Sequence, residues 1–163
     1  MKITILYHSE TGNTIKMADL IAQTMNTIAG IEAKSFSIYD LDIDFIKASN
    51  CVIIGTPIYC AGATAQIHQF LQNSLKDFEL AGKIGGAFAT ANYVHGGGEL
   101  GIRSILDAMM VRGMLVYSGG AAYGLPVIHL GPVAMGKDPA PTENNFIEYA
   151  KRMATMTLKV FGK

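Results

Sequence analysis

The first third of the chain alternates between apolar runs typical of strands and amphipathic stretches typical of helices. Ile3 to Tyr7 is a β-branched run that predicts a strand, and residues 13–28 carry apolar side chains at helical spacing, with Gly30 as the predicted C-cap. The weak alternation of Ile31 to Ile38 predicts a second strand. Residues 40–45 predict a turn or short helix; their three aspartates lack the glycine and final glutamate of a calcium loop.

The same alternation continues to the end of the chain. Strands are predicted at Cys51–Ile54, Lys83–Thr90 and Met114–Tyr117. The helices that follow them have predicted inner faces made of Ile67, Phe70, Leu71 and Leu75, then of Ile102, Ile105, Leu106, Met109 and Met110, and finally, after a cap at Thr142, of Phe146, Ala150, Met153, Thr157 and Val160.

Five strands alternating with helices predict an α/β fold, with a parallel sheet, right-handed crossovers and helices on both faces. No linker or internal repeat interrupts the chain, so we expect one domain over residues 1–163. Ligands of such sheets bind beyond the carboxyl ends of the strands. Three loops rich in Gly, Ser, Thr, Asn and Tyr follow strand ends and are expected to converge: Ser9–Thr14, Thr56–Thr64 and Thr90–Glu99.

The first of these loops has the layout of a phosphate site. It joins a strand directly to a helix, whose first N–H groups lack intrahelical partners and carry the positive end of the helix dipole. Gly12 permits close approach of the backbone, and Ser9, Thr11, Asn13 and Thr14 are neutral donors. The alternative is a helix capped by Ser or Thr that binds nothing.

The third loop contains a second glycine pattern. Gly96–Gly101 matches the G-x-G-x-x-G fingerprint of dinucleotide sites. That fold needs an acidic residue about twenty positions further on, yet no residue between Asp107 and Asp138 is acidic. The pattern also belongs on the first strand-to-helix turn, so glycines that flank a flat ligand are the better interpretation.

Four loop residues are candidates for chemistry or packing. His95, between Val94 and three glycines, is either a proton donor or hydrogen-bond partner, or a plain surface residue. Tyr59 and Tyr93 either cover the face of a planar ligand ring or simply pack against other side chains of the protein. No activating base accompanies Cys60, which argues against a nucleophile.

Composition excludes several classes of function. Thirteen basic and thirteen acidic residues balance, so nucleic acid is not the expected partner. The run from Met114 to Gly136 is broken by glycines and prolines, and no membrane insertion is expected. Without an export signal or a metal or redox cysteine spacing, we expect a cytoplasmic protein with no metal site. Hydrophobic content of 50% and a mean hydropathy of +0.28 favour a homo-oligomer; a helix-covered sheet is the alternative.

Together the three loops resemble the flavodoxin-like superfamily, whose members bind FMN. Ser9–Thr14 resembles its phosphate loop, and Gly55–Tyr59 resembles the loop that flanks the isoalloxazine ring. His95-Gly96-Gly97 with Glu99, after Phe88-Ala-Thr-Ala, is similar to the WrbA-type NAD(P)H:quinone oxidoreductases. The chain departs from that type in four ways: it is shorter, its segment between Ile38 and Asn50 is compact, Tyr59-Cys60 replaces a basic-aromatic pair, and Gly119 to Met135 matches only loosely.

The resemblance implies a three-layer sandwich with a five-stranded parallel sheet in the order 2-1-3-4-5, and a homodimer or homotetramer. It also implies that His95 lies near the flavin, where quinone binds. The implied cofactor-binding residues are Ser9, Glu10, Thr11, Gly12, Asn13 and Thr14 in the first loop, Thr56, Pro57, Ile58, Tyr59 and Cys60 in the second, and Thr90, Ala91, Asn92, Tyr93, His95, Gly96 and Gly97 in the third.

Two main functions follow from the resemblance. The first is an FMN-dependent oxidoreductase that takes hydride from NADH or NADPH and reduces a quinone-like acceptor, with His95 stabilising or protonating the acceptor oxygen. The second is a flavodoxin-type electron carrier that docks to redox proteins. Carriers rely on complementary charge, whereas this chain is neutral and contains no Trp to stack on the ring, which favours the enzyme. A module used only for interaction is a third alternative.

Overall fold

The computed structural model describes residues 1–162, which form a sheet enclosed by helices. The strands are β1 (Lys2–Tyr7), β2 (Glu32–Ser37), β3 (Cys51–Tyr59), β4 (Gly62–Ala63), β5 (Ile84–Ala91), β6 (Leu115–Val116) and β7 (Val133–Met135). The helices are α1 (Asn13–Asn26), α2 (Ile43–Ala48), α3 (Ala65–Asn73), α4 (Gly98–Val111) and α5 (Glu143–Phe161). None of the helices in these residues is long and apolar enough to cross a membrane.

The sheet is parallel along its main path, in the order β2-β1-β3-β5-β6. With the short β4 hairpin strand set aside, this is the predicted order 2-1-3-4-5, which confirms the α/β flavodoxin-like fold. Because β1, β3 and β5 are adjacent and parallel, with β3 in the middle, the loops that follow them lie at the same edge of the sheet.

Each face of the sheet is covered by a separate apolar core, because successive strand residues point to opposite faces. On one face, α1 and α5 pack over residues such as Ile5 and Phe88. On the other, α3 and α4 pack over residues such as Leu6 and Ile54. The two cores together hold the strand ends in fixed positions beneath the loops.

The fifth position in the sheet is divided between two short strands. The sequence predicts one strand at Met114–Tyr117, but β6 is limited to Leu115–Val116 and pairs with Ile84–Gly85. The chain then leaves the sheet and returns as β7, which pairs with Ala89–Ala91. The Arg152 side chain fastens the intervening segment by donating hydrogen bonds to the carbonyl oxygens of Gly120, at 3.0 Å, and Pro126, at 3.1 Å.

Several predicted boundaries differ from the structure. Strand β3 does not end at Ile54, and it continues through the second loop to Tyr59. Helix α1 ends at Asn26, and Gly30 instead forms the left-handed turn that leads into β2. Thr142 precedes α5, but its hydroxyl donates to the carbonyl of Pro139 and does not cap the helix.

Two residues predicted to face the core are exposed. In α5, Phe161 packs against the core in place of Val160, because it lies four residues after the buried Thr157. In α4, Met109 is buried while Met110, about 100° further round the helix, is 47% exposed.

Candidate functional site

A narrow cleft of about 60 Å³ lies where the first three loops meet, beyond the carboxyl ends of β1, β3 and β5. The Thr14 and Thr90 hydroxyls are 2.9 Å apart and buried, and this hydrogen bond joins the first loop to the third. Eight predicted site residues from the three loops line the cleft, together with one glycine that was not predicted. They are Thr11, Asn13, Pro57, Ile58, Tyr59, Thr90, Ala91 and Asn92, with Gly136.

The sequence predicts a phosphate site at Ser9–Thr14 with the first turn of α1, and we call this part of the cleft the phosphate end. Gly12 takes a left-handed conformation with φ of 95°, and a Cβ at this position would have no neighbour within 4 Å. No side chain caps α1 and its first turn contains no acidic residue. Within residues 1–162, the Ser9 hydroxyl oxygen is buried without a hydrogen-bond partner. Backbone and side-chain donors are therefore left available for an anion.

The segment after β7 also reaches the cleft, and the sequence reasoning missed it. Gly136 lines the cleft, and its N–H donates to the carbonyl of Ala91 at 2.8 Å. The Asn13 side chain donates to the carbonyl of Lys137 at 3.3 Å. The apolar triplet Val133–Met135 was the only local signal of a strand, and it lies inside a glycine- and proline-rich stretch.

The ring end of the cleft consists of the β3–β4 hairpin and Thr90–Gly97. The hairpin turns at Cys60 and Ala61, which are non-glycine residues at φ of 50° and 61°. Gly97 fits against this turn so closely that a Cβ there would lie 2.7 Å from the Ala61 Cα. Thr56 is fully buried, and its hydroxyl donates to the Pro57 carbonyl and accepts from the Thr64 N–H. Thr56 therefore shapes the hairpin from behind the cleft.

Glu10 links the two ends. Its carboxylate oxygen lies 3.3 Å from Nε2 of the buried His8. Burial raises the pKa of Tyr59, and the Glu10 carboxylate raises it further through its negative charge and a hydrogen bond. The predicted residue Glu10 therefore contacts His8, just after β1, and Tyr59, at the end of β3, and it does not line the cleft.

A second pocket, of about 470 Å³, lies beside the ring end. It is lined by Tyr93, Val94, His95, Gly97, Gly98, Glu99, Leu100, Val133 and Met135. Its size falls in the range of small-molecule sites. The structure thus separates the third loop: Thr90–Asn92 line the cleft, whereas Tyr93, His95 and Gly97 line the neighbouring pocket. Gly96 lies in the tight turn between His95 and Gly97, where its N–H donates to the Tyr93 carbonyl.

Comparison with known proteins identifies the family. The flavodoxin family model matches residues 5–100. The chain is also similar to a flavodoxin of Clostridium saccharobutylicum, with 38% identity over 161 residues that cover 99% of this chain and 100% of the relative. The chain belongs to the flavodoxin family.

More distant relatives of this flavodoxin-family chain include quinone dehydrogenases as well as flavodoxins. An NAD(P)H dehydrogenase (quinone) of Chromohalobacter salexigens is 23% identical over 201 residues. The match covers 99% of this chain and 99% of the relative. Among solved structures, the flavodoxin, WrbA-like protein from Agrobacterium tumefaciens matches with a TM-score of 0.78 at 20% identity, over 97% of this chain and 98% of that one. The Fusobacterium nucleatum flavodoxin bound to flavin mononucleotide matches with a TM-score of 0.74 at 20% identity, over 95% and 98%.

Family membership supports FMN as the cofactor, and the phosphate end fits it. A monoester phosphate needs several donors and room for its oxygens. The unpartnered Ser9 hydroxyl, the uncapped start of α1 and the open space at Gly12 supply these.

Proposed function

We propose that this chain is an FMN-dependent electron carrier that passes electrons between partner proteins. The observation that carries the proposal is the exposed apolar surface around the ring end, where Tyr93 is 77%, Val94 81% and Leu100 65% exposed. Such side chains beside a redox site suit a docking surface. The full-length 38% identity to a flavodoxin supports the same function, and it outweighs the neutral charge and the missing Trp that favoured an enzyme.

Each end of the cleft has its own task in this proposal. Ser9 and the first N–H groups of α1 would hold the phosphate. In the Thr14–Thr90 pair one hydroxyl donates to the other, so the accepting hydroxyl keeps its proton for a further acceptor. Tyr59, 42% exposed, would cover the ring and exclude water from one side of it. FMN, when bound, accepts and releases the electrons on its ring.

A second candidate is an FMN-dependent NAD(P)H:quinone-type oxidoreductase, favoured by the pocket beside the ring end. That pocket of about 470 Å³ has room for a nicotinamide or a quinone, and His95 lines it. In this function NADH or NADPH is the reductant, and His95 would donate a hydrogen bond or a proton to the acceptor oxygen. The relatives named NAD(P)H dehydrogenase (quinone) support it at lower identity than the flavodoxin.

One anaerobic experiment separates the two candidates. The purified protein, loaded with FMN, is mixed with NADH or NADPH and then with benzoquinone while the flavin absorbance is followed. A carrier reacts with neither nicotinamide on the turnover time scale, but exchanges electrons with a reduced ferredoxin-type protein. Rapid bleaching and quinone-dependent recovery would contradict the carrier and support the enzyme.

The same assay tests His95. In the enzyme, His95→Ala lowers quinone turnover at least about tenfold while FMN remains bound, because a positioned proton donor contributes that much or more. His68→Ala, at an exposed position on α3, is the matched control and leaves turnover unchanged. If the protein fails to bind FMN, both candidates are wrong.

A further inference from the structure

His8, the last residue before the phosphate loop, is a buried histidine with one unsatisfied nitrogen. Only 4% of the residue is exposed. Its Nε2 lies 3.3 Å from the Glu10 carboxylate, while its Nδ1 is buried and has no hydrogen-bond partner in residues 1–162. An imidazole with a carboxylate on one side can hold a second proton as an ion pair.

Glu10 places a negative charge inside the loop that would receive the FMN phosphate. A phosphate monoester adds a charge of about −1.5 to −2 at pH 7. Among the described residues, no lysine or arginine pairs with Glu10; Lys16, on the first turns of α1, pairs with Glu143 at 3.0 Å. Of the groups in contact with Glu10, His8 is the one that can become a cation and offset the added charge.

In the part of the chain that the structure describes, no other group around His8 can supply a positive charge to offset the phosphate. The edge of its ring meets Tyr39, from the turn after β2, at 5.8 Å between centroids. Asp40, which follows Tyr39 on that turn, adds a carboxylate to that side of His8. On the β3 side, the Gly55 carbonyl accepts the His8 backbone N–H, and Tyr59 contacts Glu10 with a neutral hydroxyl.

We propose that His8 takes up a proton from solvent when FMN binds, so that His8 acts with Glu10 as a proton-linked binding pair for the phosphate. The inference rests on FMN being the cofactor, as in the proposed function. In this proposal the imidazole carries one proton before binding, so that the pair of His8 and Glu10 has a net negative charge. After binding, both imidazole nitrogens carry protons, the pair is neutral overall, and the repulsion between Glu10 and the phosphate is reduced.

The sign of the pH effect follows from this uptake. A ligand that draws a proton onto the protein binds more tightly as pH falls, so the FMN dissociation constant rises with pH over the range of about 5 to 8 in which histidines titrate. The slope of log Kd against pH approaches +1 if one full proton is taken up. Ionisation of the phosphate itself, near pH 6, acts in the opposite direction, so the comparison between variants isolates the histidine.

The test is calorimetric titration of the apoprotein with FMN in buffers of different ionisation enthalpy, which counts the protons taken up. Wild type is expected to take up a fraction of a proton at pH 7, and His8→Gln to take up none. His68→Gln, on exposed α3, is expected to match wild type. Riboflavin, which lacks the phosphate, is expected to bind without this uptake. Equal proton counts in wild type and His8→Gln would overturn the proposal.

Glu10→Gln provides a second variant, because Glu10 is exposed and its replacement is not expected to disturb folding. Removing the anion is expected to tighten FMN binding roughly 3- to 10-fold at pH 8 and to lower the proton count, consistent with one lost charge near a phosphate. If this variant takes up as many protons as wild type, the proposal is wrong even where His8→Gln fails to fold. FMN binding without any linked proton would remove this inference alone, whereas a complete lack of FMN binding would remove the proposed function too.

Discussion

The phosphate end and the ring end both contain left-handed backbone, but they place different residues there. At the phosphate end, Gly12 occupies the position with φ of 95°, where glycine has no steric penalty. At the ring end, Cys60 and Ala61 occupy successive left-handed positions, as required by a two-residue hairpin turn that usually contains Asn or Gly. The phosphate end is therefore relaxed, and the ring end holds strain of the kind found at functional sites.

The largest expected effect comes from substituting the two left-handed glycines that precede α1 and α4. Gly97→Ala should destabilise the protein by roughly 2–4 kcal/mol, because it adds left-handed strain to a clash with the Ala61 backbone. Gly12→Ala is the matched control and should cost only about 1–2 kcal/mol, since its Cβ would meet no atom within 4 Å. Urea unfolding of both apoproteins measures the difference, and equal losses would show that the two ends are equally crowded.

Ser9→Ala tests the phosphate end alone. It should weaken FMN binding by roughly 1.5–3 kcal/mol, the value of a hydrogen bond to a charged group, and leave riboflavin binding unchanged. The free energy of unfolding of the apoprotein should stay the same or rise slightly, because the Ser9 hydroxyl is buried and has no hydrogen-bond partner among residues 1–162. Fluorescence titration with both flavins checks this, and an equal loss for riboflavin would place Ser9 elsewhere than at the phosphate.

Ala61→Gly should relieve the strain at the ring end. Glycine adopts the left-handed region freely, so we expect a gain of about 0.5–1 kcal/mol in the free energy of unfolding of the apoprotein, partly offset by the greater entropy of the unfolded chain. Ala63→Gly, two residues on in β4, should instead destabilise the protein. Thermal unfolding of the two variants makes the comparison, and a loss of stability in Ala61→Gly would mean that the turn is unstrained.

The smallest effect concerns the coupling between the two ends through Glu10. The raised pKa of Tyr59 means that the folded protein keeps this proton to higher pH than the unfolded chain, so this group lowers stability as pH rises above about 10. Glu10→Gln should bring the pKa of Tyr59 back toward its ordinary value. Tyr7, whose pKa is raised by burial and by Asp19 and Asp40, should not change and serves as the internal control. NMR of labelled tyrosine rings follows both titrations, and an unchanged Tyr59 would show that burial alone sets its pKa.

The contrast between the ends also explains what the sequence could predict. The phosphate end is one contiguous segment. The strand, the donor side chains with Gly12, and the helix follow one another in the sequence, so the sequence alone was enough to recognise them. The alternation of strands and helices predicted a parallel sheet, whereas the order 2-1-3-4-5 came from the resemblance to the flavodoxin-like superfamily; the observed strand order confirms both.

The ring end was less predictable because distant segments form it. Strand β7 exists through pairing of Val133 with Ala89, residues far apart in sequence, so Gly136 could not be assigned to the cleft. The turn at Cys60 and Ala61 lacks the Asn-Gly signal of such hairpins. The assignment of His95 to the flavin, made from the resemblance, stays a prediction, since His95 lines the adjacent pocket.

The break in the fifth strand has a consequence for how this chain can vary in length. Strand β6 ends with Val116 opposite Gly85, and β7 begins with Val133 opposite Ala89. Four residue steps along β5 span about 13 Å, a gap that a continuous strand would cross with three residues. Residues 118–131 therefore lie outside the strand pairing; Arg152 holds them to α5, and Ile128 anchors them in the core. Shortening, lengthening or replacing the exposed part of this segment, residues 121–125, would alter the outer edge of the molecule while the phosphate loop at β1, on the far side of β3, keeps its place.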